Sequence, residues 1–444
     1  MSVIVYRVSS LLCQLLGSVP IGTNLSLYYL FFALMSGRFL LSRGAVLPAL
    51  SDMGLAPDAV RRVAAALEYW RFDIEDLLAA WRKFVAAEGR FTAHSYAGVH
   101  PVACDLVGFF RPRLAGHAGK HYHSQAGKAL PAVVFGLVAS IGSVGSMRLG
   151  LPRLSLRAKP GETDQALSKR VVAAAAATLS ANEALICDAG FLLPWLLSLQ
   201  PAGCNFVVRV KSNVTARRNY RPAYKGKGRH PEYGDPVRPL SGKYKDAVLA
   251  ATPPDKIVRW KDGRHSVEAR VFEDLVLPSE KPGARSFRLV VIRHSRYKEP
   301  LVLATNLRIA VYWVWRLYKD RWPIEQLPLA CKQMLGAERS FVFGQESRFR
   351  LPELALLAGN VLSYAAATSA AVASGFWDRC PRPTCGRVRR ALFGLHLSDL
   401  PEPMGCAREV RKKASVTCHL KTGVAGHRRR KATQAPDPTG QPAI

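Results

Sequence analysis

Acidic side chains are scarce in this chain of 444 residues, where 32 Asp and Glu stand against 63 Lys and Arg for a formal charge of +31. So lopsided a balance argues against an ordinary metabolic enzyme and points to a polyanionic partner, nucleic acid first. Paired cysteines are also missing. The nine cysteines are an odd number without a CxxC pair, which excludes a disulfide framework and leaves free thiols in a reducing, cytoplasmic setting as the expectation. The longest apolar stretch, Leu25 to Leu41, is broken by Ser36, Gly37 and Arg38, short of the ~20 residues of a membrane span, so it reads as a buried helix with no membrane role. No charged and apolar leader opens the chain, so nothing argues for secretion. Fixed-period repeats are lacking as well. AGKAL at 126–130 has neither the upstream Gly nor the Ser/Thr of a phosphate-binding loop, and no local Ser-His-Asp signature occurs. What remains is a hydrophobic fraction of 49% and a charged fraction of 21%, enough to build a core and to exclude wholesale disorder.

The text of the chain changes character along its length. Residues 1–92 read as an N-terminal helical domain, with Val63, Ala64, Leu67, Ile74, Leu77, Leu78, Trp81 and Val85 recurring largely at three- and four-residue spacing. Within it, residues 42–67 offer two helices around Gly54, the second bearing Arg61 and Arg62, compatible with helix-turn-helix DNA binding. Residues 93–210 carry short apolar runs (PVACD, HYHSQ, ALPAVVFGLVASIG, EALICDAGF and CNFVVRVKSN) that read as strands of a buried sheet. FLLPWLLSL at 191–199 would be a crossover helix, and the core is therefore mixed α/β. Residues 211–299 form a β-rich stretch, with alternation from 255 to 305 suggesting a small antiparallel sheet. At its start lies a basic loop that includes Lys211, Arg217, Arg218, Lys225 and Lys227, suited to tracking phosphates. Residues 300–375 return to helix, from about Ala310 to Leu335 and from Glu353 to about Val372. The final part, 376–444, is basic, with nine Lys or Arg against one acid between Arg408 and Lys431, and its end reads as disordered.

The segment YKDRWPIEQLPLACK concentrates the chemistry. Tyr318, Arg321, Glu325 and Lys332 fall within about 60° of arc on an ideal helix, along ~21 Å of its length. An aromatic, two cations and one carboxylate would line a track several nucleotides long. The plain alternative is a solvated amphipathic face. Pro323 is tolerated where a new helix begins, whereas Pro328 removes a backbone bond and should kink the helix before Lys332.

The quartet resembles the Y-x2-R-x3-E-x6-K signature of DDE transposases of the insertion-sequence-four type, and the flanking LVLATNL and KQMLGAERSF look like that family's text. The resemblance implies a ribonuclease H-like α/β core in which Glu325 is the third catalytic carboxylate, with Tyr318, Arg321 and Lys332 on DNA-end phosphates. Two-metal phosphoryl transfer needs two further acids near strand ends. Asp188 ends EALICD and Asp105 ends PVACD; taken singly, each could equally be a turn or capping residue. Leu106 and Val107 follow Asp105 where the family often has a small or hydroxyl residue. The interval from Asp188 to Glu325 is too long for one crossover, and in the family a mostly β insertion fills it.

The resemblance then implies two Mg²⁺ ions, replaceable by Mn²⁺, held by Asp105, Asp188 and Glu325. It also implies double-stranded DNA as partner, both terminal inverted repeats and target, with a homodimer in the DNA complex. Lys211, Arg217 and Arg218 are expected on the phosphates. Two other readings stay open: a non-catalytic DNA-binding regulator derived from a transposase, and a ribonuclease H-like nuclease without strand transfer. His117, His121 and His123 lack a neighbouring Cys or carboxylate to complete a zinc set, and Cys380, Cys385, Cys406, Cys418 and His419 are too widely spaced for a compact knuckle.

Overall fold

The computed structural model describes residues 3–20, 23–69, 72–111, 114, 117, 119–224, 226, 228–244 and 247–396. Arg408 to Lys431, the APDPTGQPAI end, Cys406, Cys418, His419, Lys225 and Lys227 lie outside the described residues. The chain opens with helices α1 (Val3–Leu16), α2 (Thr23–Met35), α3 (Arg38–Leu41), α4 (Val46–Ser51), α5 (Pro57–Tyr69) and α6 (Ile74–Glu88). Gly54, at φ +79°, turns the chain between α4 and α5, a left-handed conformation that glycine adopts without a Cβ clash. Arg61 and Arg62 on α5 point outward while Val60, Val63, Ala66 and Leu67 are buried. The Asp73 side chain caps α6 by accepting from the Glu75 amide.

The sheet follows, with β1 (Phe91–Ala93), β2 (His100–Phe110), β3 (Lys120–His123), β4 (Lys128–Val144) and β5 (Met147–Arg157), then helix α7 (Asp164–Ala176), β6 (Glu183–Cys187), helix α8 (Leu193–Leu199) and β7 (Asn205–Arg209). The order across the sheet is β5-β4-β2-β6-β7. The β4 pairings are antiparallel, whereas β2, β6 and β7 run parallel. Each parallel join needs a crossover, and α8 makes the one from β6 to β7. Strands covered on both faces can be apolar throughout, as β2 and β6 nearly are. Alternation divides them: Val102, Cys104, Leu185 and Cys187 pack with α7 and α8, while Ala103, Val107, Ala184 and Ile186 face the other way. This is a mixed α/β fold with a large mixed sheet, compatible with a ribonuclease H-like arrangement.

Two strand expectations change. Asp105 does not end its strand, because LVGFF continues the apolar pattern and β2 runs on to Phe110. The β-rich stretch is not a separate small sheet. It comprises β8 (Ala216–Arg218), β9 (Pro236–Val237), a detached hairpin of β10 (Gly242–Tyr244) and β11 (Ala247–Leu249), then β12 (Lys256–Asp262), β13 (His265–Val276) and β14 (Phe287–His294). Strand β15 (Leu301–Thr305) pairs antiparallel with both β14 and β7, so the ladder continues the main sheet. Asn306 and Thr305 reinforce that seam, accepting from the Phe206 amide at 2.9 Å and donating to the Phe206 carbonyl at 2.6 Å.

After β15 come α9 (Val311–Lys319), a 3-10 turn at Trp322–Glu325, α10 (Gln326–Leu329) and a π turn at Ala330–Met334. The single helix expected from 310 to 335 is thus broken near the two prolines, since neither ring supplies an amide hydrogen. Helices α11 (Ser347–Thr368) and α12 (Cys385–Leu392) end the described chain. Helix α9 packs on β6 and β7 through Val314, Trp315 and Leu317. Helix α11 and the six N-terminal helices share one hydrophobic cluster with one face of β4 and β5. Trp81 anchors that cluster: fully buried, it donates to Asn360 Oδ1 at 2.7 Å, and Asn360 donates to the Gly150 carbonyl at 2.7 Å. Arg7 grips Glu88 with two nitrogens, at 2.6 and 2.7 Å, and the Tyr364 hydroxyl donates to the same carboxylate at 2.6 Å, joining α1, α6 and α11.

Candidate active site

Three carboxylates from distant parts of the sequence meet around one guanidinium. Asp105 projects from the middle of β2 on the face that Ala103 and Val107 share. Asp188 is the first residue after β6, its Oδ1 accepting from the Ala189 amide at 2.7 Å as the chain turns toward α8. Glu325 closes the 3-10 turn that begins at Trp322. Arg321, only 14% exposed, donates to Asp105 Oδ2 at 3.2 Å and through its other nitrogen to Glu325 Oε1. Tyr318, one turn earlier, donates to Asp188 Oδ1 at 3.3 Å.

The electrostatics follow from that crowding. Burial pushes the Asp105 carboxyl up to about 6; Arg321 and the Leu106 amide oppose the rise, and the Glu325 and Asp188 charges add to it. Burial and the charge of Asp188 push the Tyr318 hydroxyl up to about 12. The three acids hold the Arg321 guanidinium more firmly charged than usual, against burial. Asp105, Asp188 and Glu325 keep 29%, 38% and 40% exposure, so the cluster opens to solvent.

Lys332 goes elsewhere. The broken helix turns its ammonium to the Gly108 carbonyl of β2, at 2.6 Å, over the rings of Phe109 and Phe110. Burial lowers its affinity for a proton. Arg217 and Arg218 are strand residues of β8 whose guanidinia already serve the protein. Arg217 donates to the carbonyls of Pro278 and Gly234, and Arg218 forms a two-point pair with Asp255 at 2.6 and 2.7 Å. Lys211 is exposed just past β7. Arg209, which the sequence assigns to the basic loop, ends β7 and stands 3.9 Å from Asp188. The signal for that proximity was the pair of parallel strands EALICD and NFVVR: Cys187 opposes Val208, so Asp188 and Arg209 follow as neighbours. Away from this cluster, His117 donates to the Ala132 carbonyl at 2.9 Å and His121 meets Asp164 at 2.9 Å.

The donor chemistry suits a hard divalent cation, because every ligand atom on offer is a carboxylate oxygen. Among the described residues no three His, Cys, Asp or Glu side chains gather closely enough to hold one ion by themselves. A Mg²⁺ ion needs only one or two carboxylates, with water and substrate phosphate oxygens filling its shell. Asp105 is central enough to serve with either Asp188 or Glu325, since both charges act on it.

Residues 155–360 match the model of the transposase DDE domain family. The matched segment contains Asp188, Tyr318, Arg321, Glu325 and Lys332 and supports a DDE transposase, while Asp105 lies upstream of it. No curated protein matches the chain. Among the described residues no helix is long and apolar enough to cross a membrane.

Proposed function

We propose that the protein is an insertion-sequence transposase of the insertion-sequence-four type, cutting transposon ends and joining them to target DNA on a ribonuclease H-like core. The observation that carries this reading is the convergence of Asp105, Asp188 and Glu325 on Arg321 inside a strongly basic chain. A binder without catalysis gains nothing from three acids in a cationic surface. The domain division proposed with it is helical to residue 92, core to 210, β-rich insertion to 299, core again to 375, and a basic region beyond.

Asp105 with Asp188, and Asp105 with Glu325, would hold two Mg²⁺ ions or Mn²⁺ in their place. Bound there, the ions supply the neutralising charge and the lowered water pKa that hydrolysis and strand transfer of a phosphodiester require. The protein's own groups do the rest. Arg321 and Arg209 flank the acids and meet phosphate oxygens of the cleaved strand, while Lys211 extends the cationic path past β7. Tyr318 keeps its proton at neutral pH and so offers a hydroxyl donor to the strand end. Lys332, bonded to Gly108, steadies the outer half of β2 and thereby Asp105. A homodimer in the DNA complex would present two such sites to paired inverted repeats.

The test is cleavage of labelled linear DNA carrying the element's terminal repeats, with Mg²⁺ or Mn²⁺, by wild type and Glu325→Gln. Wild type should nick and transfer strands, and the variant should bind the same DNA without cutting. Equal cutting by both removes Glu325 from catalysis. Binding without cleavage by wild type favours a regulator, and cleavage without joining a nuclease.

A further inference from the structure

A second cluster lies behind the residue that precedes Arg321. Asp320 is almost wholly buried, and its Oδ2 meets Nδ1 of His94 at 2.5 Å while also accepting from the Tyr96 hydroxyl at 3.0 Å. Its Oδ1 accepts from Arg148 at 2.5 Å. Across the same imidazole, Nε2 of His94 meets the Ser143 hydroxyl at 2.6 Å. These side chains line a cavity of about 560 Å³ together with Ser95, Arg316 and Lys319, a volume within the usual range of small-molecule sites. None of the proposed DNA chemistry uses them.

We propose that Ser143, His94 and Asp320 form a serine-nucleophile site that hydrolyses small carboxylic esters bearing a negative charge. The arrangement has the required order of contacts: nucleophile to one ring nitrogen, buried carboxylate to the other. Burial disfavours the Asp320 charge, but the hydrogen bonds from His94 and Tyr96 and the charge of Arg148 outweigh it and hold the carboxyl below its ordinary range. An ionised Asp320 can only accept, so Nδ1 carries the proton and Nε2 is free to take one from Ser143. His94 is itself fixed, its amide donating to the Ile141 carbonyl and its carbonyl meeting His100 Nδ1 at 2.8 Å.

Ser143 pairs with Thr92 of β1 on one side and Arg148 of β5 on the other. Its backbone is thus committed to the sheet, and developing negative charge falls to the cations around the cavity. Arg316 is braced against Tyr96 and Tyr312, and Lys319 sits over Trp315. Lys319 is paired with Asp262 at 3.0 Å and Arg148 with Asp320, so Arg316 is the cavity cation that favours an anionic substrate. In the reaction, Ser143 Oγ bonds to the acyl carbon as its proton passes to His94 Nε2. The ester C–O bond then breaks, and the alcohol leaves with that proton. Water repeats the sequence to release the acid, so the sum is ester plus water to acid plus alcohol.

The full-length protein is treated with a fluorophosphonate probe and mapped by peptide mass spectrometry, and its hydrolysis of mono-4-nitrophenyl succinate is compared with that of neutral 4-nitrophenyl butyrate. Labelling at Ser143 is expected, with the anionic ester preferred. Hydrolysis should vanish in Ser143→Ala and fall about 100-fold in His94→Gln, the usual effect of losing a positioned base. Ser143→Cys guards against misfolding of the other variants: its thiol should be alkylated by iodoacetamide faster than that of the same variant carrying His94→Gln. Absence of label at Ser143, or hydrolysis unchanged in Ser143→Ala, overturns the proposal, as does equal alkylation of the two cysteine variants.

Discussion

Replacing Arg321 by Met keeps much of the side chain's length and apolar stem but deletes the charge that holds Asp105 and Glu325 together. Removing one partner of a buried ion pair costs about 3–5 kcal/mol. Here Arg321 is 14% exposed but its acids are 29% and 40% exposed, so solvent screening reduces that to about 1–3 kcal/mol. With an unfolding entropy of ~2.1 cal/mol/K per residue, the described chain changes stability by about 0.8 kcal/mol per degree, and the melting temperature should fall about 1–4 °C. The pH dependence has a definite sign. Asp105 titrates in the fold at about 6, above its ordinary value of 3.8. Protonation therefore favours the fold, and the cost of ionising Asp105 appears as pH rises from about 4 through about 6. Arg321 opposes that cost, so the variant's deficit should be larger at pH 8 than at pH 4. Millimolar Mg²⁺ should restore the variant more than it raises wild type, because the ion no longer competes with a guanidinium for the same oxygens. Calorimetric melts at the two pH values, with and without Mg²⁺, measure all of this. A variant that melts with wild type at pH 8, or an equal Mg²⁺ shift in both proteins, refutes the reasoning.

Other measurements probe the surroundings of the site. Trp81→Phe leaves the buried Asn360 oxygen without its donor and opens space beside Tyr364, and should lower the unfolding free energy by about 2–4 kcal/mol in urea titrations; combined with Asn360→Ala the losses should be less than additive. The hydrogen bonds from Arg7, ahead of that from Tyr364, hold the Glu88 carboxyl below its ordinary range against burial. That stabilisation is present above about 4.3 and is lost as pH falls further, so melts of Glu88→Gln should lie below wild type at pH 7 and approach it as the pH falls through the acid range. The logarithm of DNA affinity should fall linearly with log salt, and Lys211→Ala should reduce the slope by about one if that ammonium meets a phosphate; an unchanged slope in a titration series takes Lys211 off the DNA path.

The local parts of the site were legible because they are close in sequence: Tyr318, Arg321 and Glu325 stay together whether their helix is continuous or broken. Asp105 and Asp188 could be found as lone acids in apolar runs. Lys332 could not be placed, since the break near Pro328 and the π turn decide its direction and both depend on packing. Strand β5, with Arg148, Pro152, Arg153 and Arg157 in it, hides its apolar alternation behind cations whose carboxylate partners, among them Glu183 and Glu353, lie far along the chain. Helix α7 is masked by small residues. The relation of Ser143, His94 and Asp320 spans separations of 49 and 226 residues, and only the folded sheet brings them together.

The seam between β7 and β15 also bears on how the molecule could have been assembled or trimmed. Because the inserted strands are hydrogen-bonded to β15, which in turn pairs with the strand that carries Arg209, they act as a built-in edge guard: excising residues 211–299 would leave β15 without its β14 neighbour and turn a closed flank into an adhesive one. The extra length is then a condition of solubility for the strand beside the acids, and a shortened chain should precipitate before any question of DNA chemistry arises.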